Sequence, residues 1–296
     1  MPGEFDFIDW VRKQSLASPR LLVPPGDDLA ALRWDASDLL LVGADQVLDG
    51  VHFDSARHAP RDIGRKVMNR NLSDCAAMAC LPAAAVATAA LPRDTPLEFV
   101  KEIYRGMSAS GATFDCPVVG GDTGAWDGKL VLTVTILGRS AGIAPVTRSG
   151  ARAGDGIWVT GPLGGSILGR HMTFTPRVTL ARELAPRGIT AMIDISDGLS
   201  RDLGHICAQS NVGAIIEAER IPIHEDVMKL PPDGRSPLEH ALHDGEDHEL
   251  LFTAPGDFAG TATRIGTVTA DREIWLRGAD GTRAPLERKG WEHALA

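Results

Sequence analysis

Three apolar runs of strand length punctuate the chain: DLLLVGAD (38–45), KLVLTVTILG (129–138) and GDGIWVTG (154–161). Each is bounded by polar or glycine residues and predicts a strand. The second is so apolar that, at a sheet edge, it would need a partner strand. Between them the period changes. In RDIGRKVMNRNLSDCAAMAC (61–80), Ile63, Val67, Leu72, Ala76 and Met78 recur at helical intervals. The stretch AMIDISDGLSRDLGHI (191–206) begins as a buried strand and then meets acid at Asp194, Asp197 and Asp202. After DISDG, Leu199, Leu203, Ile206 and Cys207 fall at i, i+4, i+7 and i+8, so a helix follows the strand directly. Asn211 stands where that helix should stop, before VGAIIEA, a further strand candidate. Such alternation predicts an α/β or α+β protein. The segment GRSAGIAPVTRSGARAGDG (138–156) has no periodicity and is rich in Gly, Ala, Ser and Pro, which places a boundary between domains 1–140 and 141–296.

Composition narrows the class. With 296 residues, 44% hydrophobic and 23% charged, the chain has the make-up of a soluble globular protein. A net charge of −9 disfavours nucleic acid, which needs a basic footprint. No window reaches the roughly 18 uninterrupted apolar residues of a membrane span. The N-terminal MPGEFDFIDWVRKQ carries acids and lacks the apolar core of a signal peptide. Cys75, Cys80, Cys116 and Cys207 show no CxxC spacing, which suits reduced thiols in a cytoplasmic protein.

The candidate chemistry is acidic. PPGDDLAAL supplies Asp27 and Asp28, LLVGADQVLDGVHF supplies Asp45 with Asp49 and His52 downstream, and NRNLSDCAAM supplies Asp74. VVGGDTGAW adds Asp122, and IDISDG adds Asp194 and Asp197. All are read as lying beside a glycine turn or at the end of an apolar run, where functional groups converge on a rigid scaffold. Two readings stand. Asp is common in turns and at helix N-caps; Asp27 fits a turn and Asp202 a solvated helix face. Alternatively the acids meet, and carboxylates so gathered stay ionised only if cations offset their repulsion. Hard oxygen donors suit Mg²⁺ shared with substrate phosphates. Competing motifs are weaker. No GxxxxGK[ST] is present, GPLGGS (161–166) reads as a tight turn, Ser196 is not in GxSxG, and His240, His243 and His248 match no zinc spacing.

The ordered segments PPGDDLA, GADQVLDGVHF, MNRNLSDCAAMAC, GGDTG, DISDGLSRDLGHI and HDGEDHEL resemble the thiamine-monophosphate kinase family. There the corresponding segments read like GIGDD, TDxLVEGVHF, AVNLSDLAAMGA, GGDTT, DISDGLxxDLGHI and GGEDYEL. The resemblance spans nearly the whole chain and extends to the aminoimidazole ribonucleotide synthetase-like superfamily. It implies a two-domain α/β fold, with N-terminal strands forming a dimeric barrel and a C-terminal domain completing the nucleotide and substrate cleft. It further implies ATP as co-substrate, several Mg²⁺ ions, thiamine monophosphate as acceptor and a homodimer. By position, Asp28, Asp45, Asp74, Asp122, Asp194 and Asp197 resemble magnesium ligands. Tyr104, Gly121, Asp122, Arg148 and Ser196 fall where the family meets ATP. His52, Glu246 and Trp291 fall on the thiamine-phosphate side.

The chain departs from that pattern in three places. Gly43 and Ala44 replace hydroxyl residues before Asp45. Asp244 adds a carboxylate to DGEDH, placed to repel a phosphate or attract the thiazolium cation, and His248 replaces tyrosine. The segment between GPLGGS and TFTPRV is short. A same-fold kinase for another phosphorylated acceptor, and a non-catalytic nucleotide-binding protein, are the alternative readings.

Overall fold

A computed structural model describes residues 10–11, 13–14, 17–23, 31–256, 258 and 260–291; the N-terminal GDD aspartates Asp27 and Asp28 lie outside them. The chain divides into two compact units, residues 1–75 with 80–142, and residues 76–79 with 143–296. Among the described residues no helix is long and apolar enough to cross a membrane.

In the first unit a short pair, β1 (Leu21–Val23) and β2 (Ala31–Leu32), precedes a four-stranded sheet. That sheet contains β3 (Leu40–Leu48), β4 (Leu81–Pro92), β5 (Val118–Trp126) and β6 (Val131–Arg139), in the order β3-β6-β4-β5. The apolar run at 129–138 is therefore an interior strand, paired to β3 and β4, and not an edge. Its Leu132, Val134 and Ile136 are buried on one face while the alternate residues are half-buried on the other. The strand at β4, LPAAAVATAALP, carries no strand signature, since alanine favours helices. Pairing on both sides, antiparallel to β6 and parallel to β5, overrides that preference.

Helix α1 (Pro60–Ala77) forms where the 3.6-residue period predicts, and buries Ile63, Val67 and Leu72 completely. Helix α2 (Leu97–Ala112) links the parallel strands β4 and β5. The two helices meet backbone to backbone: a Cβ on Gly64 would sit 1.9 Å from the Ile103 carbonyl oxygen, and one on Gly106 2.0 Å from that of Arg61. Only glycine permits that approach.

The second unit is built on a seven-stranded sheet in the order β13-β12-β9-β11-β7-β10-β8. Its strands are β7 (Gly156–Val159), β8 (Ala191–Asp194), β9 (Gly213–Glu217), β10 (Leu250–Ala254), β11 (Thr263–Thr269), β12 (Ile274–Arg277) and β13 (Arg283–Pro285). Pairing is antiparallel except between β9 and β12. Short helices α3 (Arg170–Thr173) and α4 (Val178–Leu184) lead towards β8, and α5 (Leu199–Ser210) follows it. Helix α5 ends on Asn211 in the left-handed conformation, φ 60°, as its position in sequence suggests. Its Leu199, Leu203, Ile206 and Cys207 face the sheet core of Ile193, Val159 and Leu251. Burying each such aliphatic side chain contributes about 1.5–3 kcal/mol. Helix α6 (Pro237–His243) starts on a capping box between Ser236 and Glu239. All four cysteines are free and buried.

Candidate active site

The DISDG segment leaves β8 as a short turn into α5, and a second loop, Asp244 to Glu249, is stitched onto it. Glu246 N–H donates to the Ser196 carbonyl at 2.7 Å, His248 N–H to the Ile195 carbonyl at 2.8 Å, and Ile195 N–H to the Glu249 carbonyl at 2.8 Å. Glu246 and His248 adopt positive φ, 56° and 52°, conformations that cost non-glycine residues energy and persist because these bonds hold them. The Trp291 N–H donates to the Asp197 carbonyl at 3.0 Å, so the C-terminal tryptophan joins the same place with its side chain 48% exposed. Asp194, Ser196, Asp197, Glu246 and Trp291 are thus brought together within the second unit.

His248 is the buried hub of this arrangement. Its Nδ1 lies 3.3 Å from Asp194 Oδ2, its Nε2 3.8 Å from Glu246 Oε2, and its ring stacks on Phe174. Burial opposes charge on the imidazole, yet the Asp194 and Glu246 carboxylates hold its pKa above the ordinary 6.5. His171 Nδ1 stands 3.8 Å from the same Glu246 oxygen.

Asp202 is not solvated on an exposed helix face. It is 1% exposed, and its carboxylate accepts the Asp197 and Gly198 N–H groups at 3.1 Å each. These are donors that the start of α5 leaves without helical partners. Burial, reinforced by the Asp194 and Asp197 charges, pushes its pKa up to about 8. Asp197, Asp202 and His205 place one ligand atom each within 4.8 Å of one another, a spacing that suits a metal ion. Burial first, and then the charge of Arg148, lowers the His205 pKa; the Arg148 carbonyl accepts from Ser210 Oγ at 3.2 Å, at the C-terminal end of α5.

In the glycine-rich turn GPLGGS two donors are already taken: Gly164 N–H donates to Asp247 at 3.0 Å and Gly165 N–H to Asp244 at 3.3 Å. Asp247, which burial pushes up to about 7, also meets Arg170 at 3.2 Å. Asp244 pairs with Arg235 at 2.8 Å and lies 3.0 Å from His240 Nδ1. His240, His243 and His248 have separate partners and form no zinc group: His240 meets Asp244, His243 meets Ser200, and His248 meets Asp194.

In the first unit Asp45 lies within β3, Asp122 within β5, and Asp74 in the last turn of α1. Asp45 Oδ2 is 2.5 Å from Arg70 Nε, and its Oδ1 accepts the Gln46 N–H at 2.8 Å. Asp74 is exposed on the same helix face, with its Oδ2 4.0 Å from where a Cβ on Gly43 would lie. Asp122 is exposed at the opposite edge of the sheet. The register runs Asp45, Val134, Ala87, Gly121, so within one sheet Asp45 and the neighbour of Asp122 are three strand spacings apart, roughly 14 Å. Gly121 is required there, since a Cβ would sit 1.8 Å from the Ala87 carbonyl oxygen. His52 is buried, its Nδ1 accepting the Leu48 N–H at 3.1 Å. Tyr104 is 4% exposed and packs edge-on against Trp10, 5.5 Å between centroids. Asp49 accepts from Ser55 and shapes the turn after β3.

Two family models cover most of the chain: the AIR synthase related protein N-terminal domain over residues 26–140 and the corresponding C-terminal domain over residues 152–277. The chain belongs to the AIR synthase-related family. Within it, the similarity is to thiamine-monophosphate kinases. The Rhodopirellula baltica enzyme is 39% identical over 98% of this chain and 97% of its own length. The crystal structure of thiamine-monophosphate kinase from Stenotrophomonas maltophilia K279a is 33% identical, covers 95% of this chain and 98% of that one, and superposes with a TM-score of 0.79. AaThiL complexed with AMPPCP and TMP is 31% identical over 99% of this chain and 97% of that one, also with a TM-score of 0.79. The chain is therefore a member of the thiamine-monophosphate kinase family.

Proposed function

We propose that this protein transfers the γ-phosphoryl group of ATP to thiamine monophosphate, giving thiamine diphosphate and ADP. The observation that carries the reading is the stitching of DISDG to the Glu246 loop and to Trp291, which gathers acidic, hydrogen-bonding and aromatic groups at one end of α5. Relatives covering nearly the full length are thiamine-monophosphate kinases, and one was solved complexed with AMPPCP and TMP.

The acceptor needs no protein nucleophile. A phosphate monoester has a second pKa near ~6, so at neutral pH a terminal oxygen is already anionic. A bond forms from that oxygen to the γ-phosphorus as the bond to the β-phosphate oxygen breaks and ADP leaves. The obstacle is repulsion between anions, and Mg²⁺, when bound, would neutralise charge on the phosphates. Asp74 and Asp122 in the first unit, and Asp194 and Asp197 in the second, are the proposed magnesium carriers, with Asp28 outside the described residues. Asp202 and His205 stand beside Asp197 to assist. Arg148, Ser196, Gly121 and Tyr104 belong to the ATP side, Tyr104 by supporting α2 from within. Glu246 is proposed to accept the pyrimidine amino group, Trp291 to offer it a flat face, and His52 to complete the acceptor side.

A homodimer belongs to the same reading. Strand β3 is a sheet edge, and Leu39, Leu40 and Val42 are 61%, 55% and 63% exposed on or beside it. A second copy would cover that apolar edge. Buried free thiols and metabolite substrates fit a cytoplasmic enzyme. Incubation with γ-labelled ATP and thiamine monophosphate tests the direct transfer: label should appear in thiamine diphosphate and never on the protein. A labelled protein intermediate would overturn it.

A further inference from the structure

We infer that Arg70 acts as a built-in cation at Asp45, taking the place of a divalent metal ion there, so that Asp45 is not a metal ligand in this enzyme. The inference rests on the kinase reading above and departs from the ligand set that the family resemblance implies for this chain.

Two independent observations converge. The first is the ion pair: Arg70 Nε meets Asp45 Oδ2 at 2.5 Å, with the two side chains only 13% and 28% exposed. The second oxygen of Asp45 accepts the Gln46 N–H at 2.8 Å, and the Asp45 backbone N–H donates to Asn71 Oδ1 at 3.1 Å. The carboxylate is held from both sides and by charge as well as by hydrogen bonds. A guanidinium is always protonated, so its charge cannot be lost to make room for a metal. A divalent ion bound to the same carboxylate would sit within a few ångströms of that fixed positive charge and be repelled by it.

The second observation is the loss of donors next door. Positions 43 and 44, where the family-like pattern carries hydroxyl side chains, are Gly43 and Ala44. A Cβ at position 43 would find ordinary contacts, 3.8 Å to Ile136 and 4.0 Å to Asp74 Oδ2, so a serine or threonine would fit there and reach towards Asp74. Space does not explain its absence. Position 70 changes in the same sense: the AVNLSD-like segment has valine where this chain has Arg70 in NRNLSD. Positions 43 and 44 of β3 offer no side-chain oxygen, and a cation stands on the facing turn of α1. Asp74 stands one helical turn beyond Arg70 and is exposed.

The test counts metal ions directly. Mn²⁺ is titrated into the protein saturated with the ATP analogue AMPPCP, and free Mn²⁺ is read by electron paramagnetic resonance. Wild type and Asp45→Asn should bind the same number of ions with affinities within about twofold. Arg70→Val should gain one Mn²⁺ per chain, and Arg70→Val combined with Asp45→Asn should lose that gain. Arg70→Gln, which keeps the size of the side chain without its charge, serves if the valine variant melts prematurely. Loss of an ion, or weakening by about tenfold or more, in Asp45→Asn alone would overturn the inference, because Asp45 would then be ligating despite Arg70. No gain in either Arg70 variant would overturn it as well. Asp74→Asn and Asp122→Asn report separately on the wider reading. If both leave Mn²⁺ binding unchanged, the metal assignment of the first unit fails whatever the Arg70 variants do.

Discussion

The imidazole of His248 lies flat on the ring of Phe174, with centroids 3.9 Å apart and planes 11° from parallel. The stack fixes a residue that also touches Asp194 and Glu246, so it orients the carboxylates proposed for metal and for acceptor at once. Two substitutions separate ring from nitrogens. His248→Phe keeps an aromatic face but leaves the buried Asp194 without this partner, and should destabilise the fold by about 1–3 kcal/mol. Phe174→Leu keeps the nitrogens and should cost about 0.5–1.5 kcal/mol beyond lost area. Denaturant midpoints measure both. His248→Phe should also raise KM for thiamine monophosphate more than KM for ATP, whereas equal changes would assign His248 to packing alone.

Trp291 and Glu246 are predicted to act on the acceptor. Trp291→Ala should raise KM for thiamine monophosphate by an amount equivalent to roughly 1–3 kcal/mol, the loss expected for one stacked base, and leave KM for ATP nearly unchanged. Its backbone bond to Asp197 survives in the alanine variant, so the loop should stay in place. Equal loss for both substrates would instead mean that the C-terminal segment had come away.

How far the sequence discloses the site depends on which forces decide each residue. Helix α1, helix α5 and its Asn211 stop follow from local periodicity and local conformational preference, and both are legible. The alanine-rich β4 is not, because its strand form comes from partners distant in the chain. Asp202 reads as a surface acid by helical phase alone. Only the folded turn brings the Asp197 and Gly198 N–H groups onto it. Asp244 likewise reads as a substrate-facing charge, and its ion pair with Arg235 comes only from the fold. The motif segments themselves signal the family plainly. The ion pair of Arg70 with Asp45 is not legible in the sequence, because it forms only where the helix meets β3 in the fold.

Asp74 and Asp122 are exposed carboxylates in rigid elements, and replacing either by Asn preserves shape while removing charge. Each variant should weaken Mg·ATP binding by at least about tenfold and leave the melting temperature close to wild type. Calorimetric titration of Mg·ATP measures this. Unchanged affinity in both would remove these two acids from the metal-binding set.

His243 makes a pH prediction. Its Nδ1 lies 2.9 Å from Ser200 Oγ, whose hydroxyl donates to the Lys289 carbonyl at 2.7 Å, so the ring serves as donor in its neutral form. Burial, then the Lys289 charge, holds its pKa below 6.5. The unfolded chain therefore takes up this proton first as pH falls. The contribution to stability is complete above about 6.5 and is lost as pH drops from there through the lower folded value. His243→Gln should flatten that part of the stability profile between pH 5 and about 7, as measured by urea unfolding. A difference between the two proteins that does not vary with pH would contradict the assignment.

Acceptor choice tests the central claim most directly. ADP release from ATP and Mg²⁺ is measured with thiamine monophosphate, with thiamine, and with other phosphorylated acceptors, alongside chromatography of the thiamine products. The account predicts ADP and thiamine diphosphate in equal amounts with thiamine monophosphate, and no ADP above background with thiamine, which lacks the anionic phosphate oxygen. Turnover of a different phosphorylated acceptor in preference to thiamine monophosphate, or ADP release with none, would contradict it.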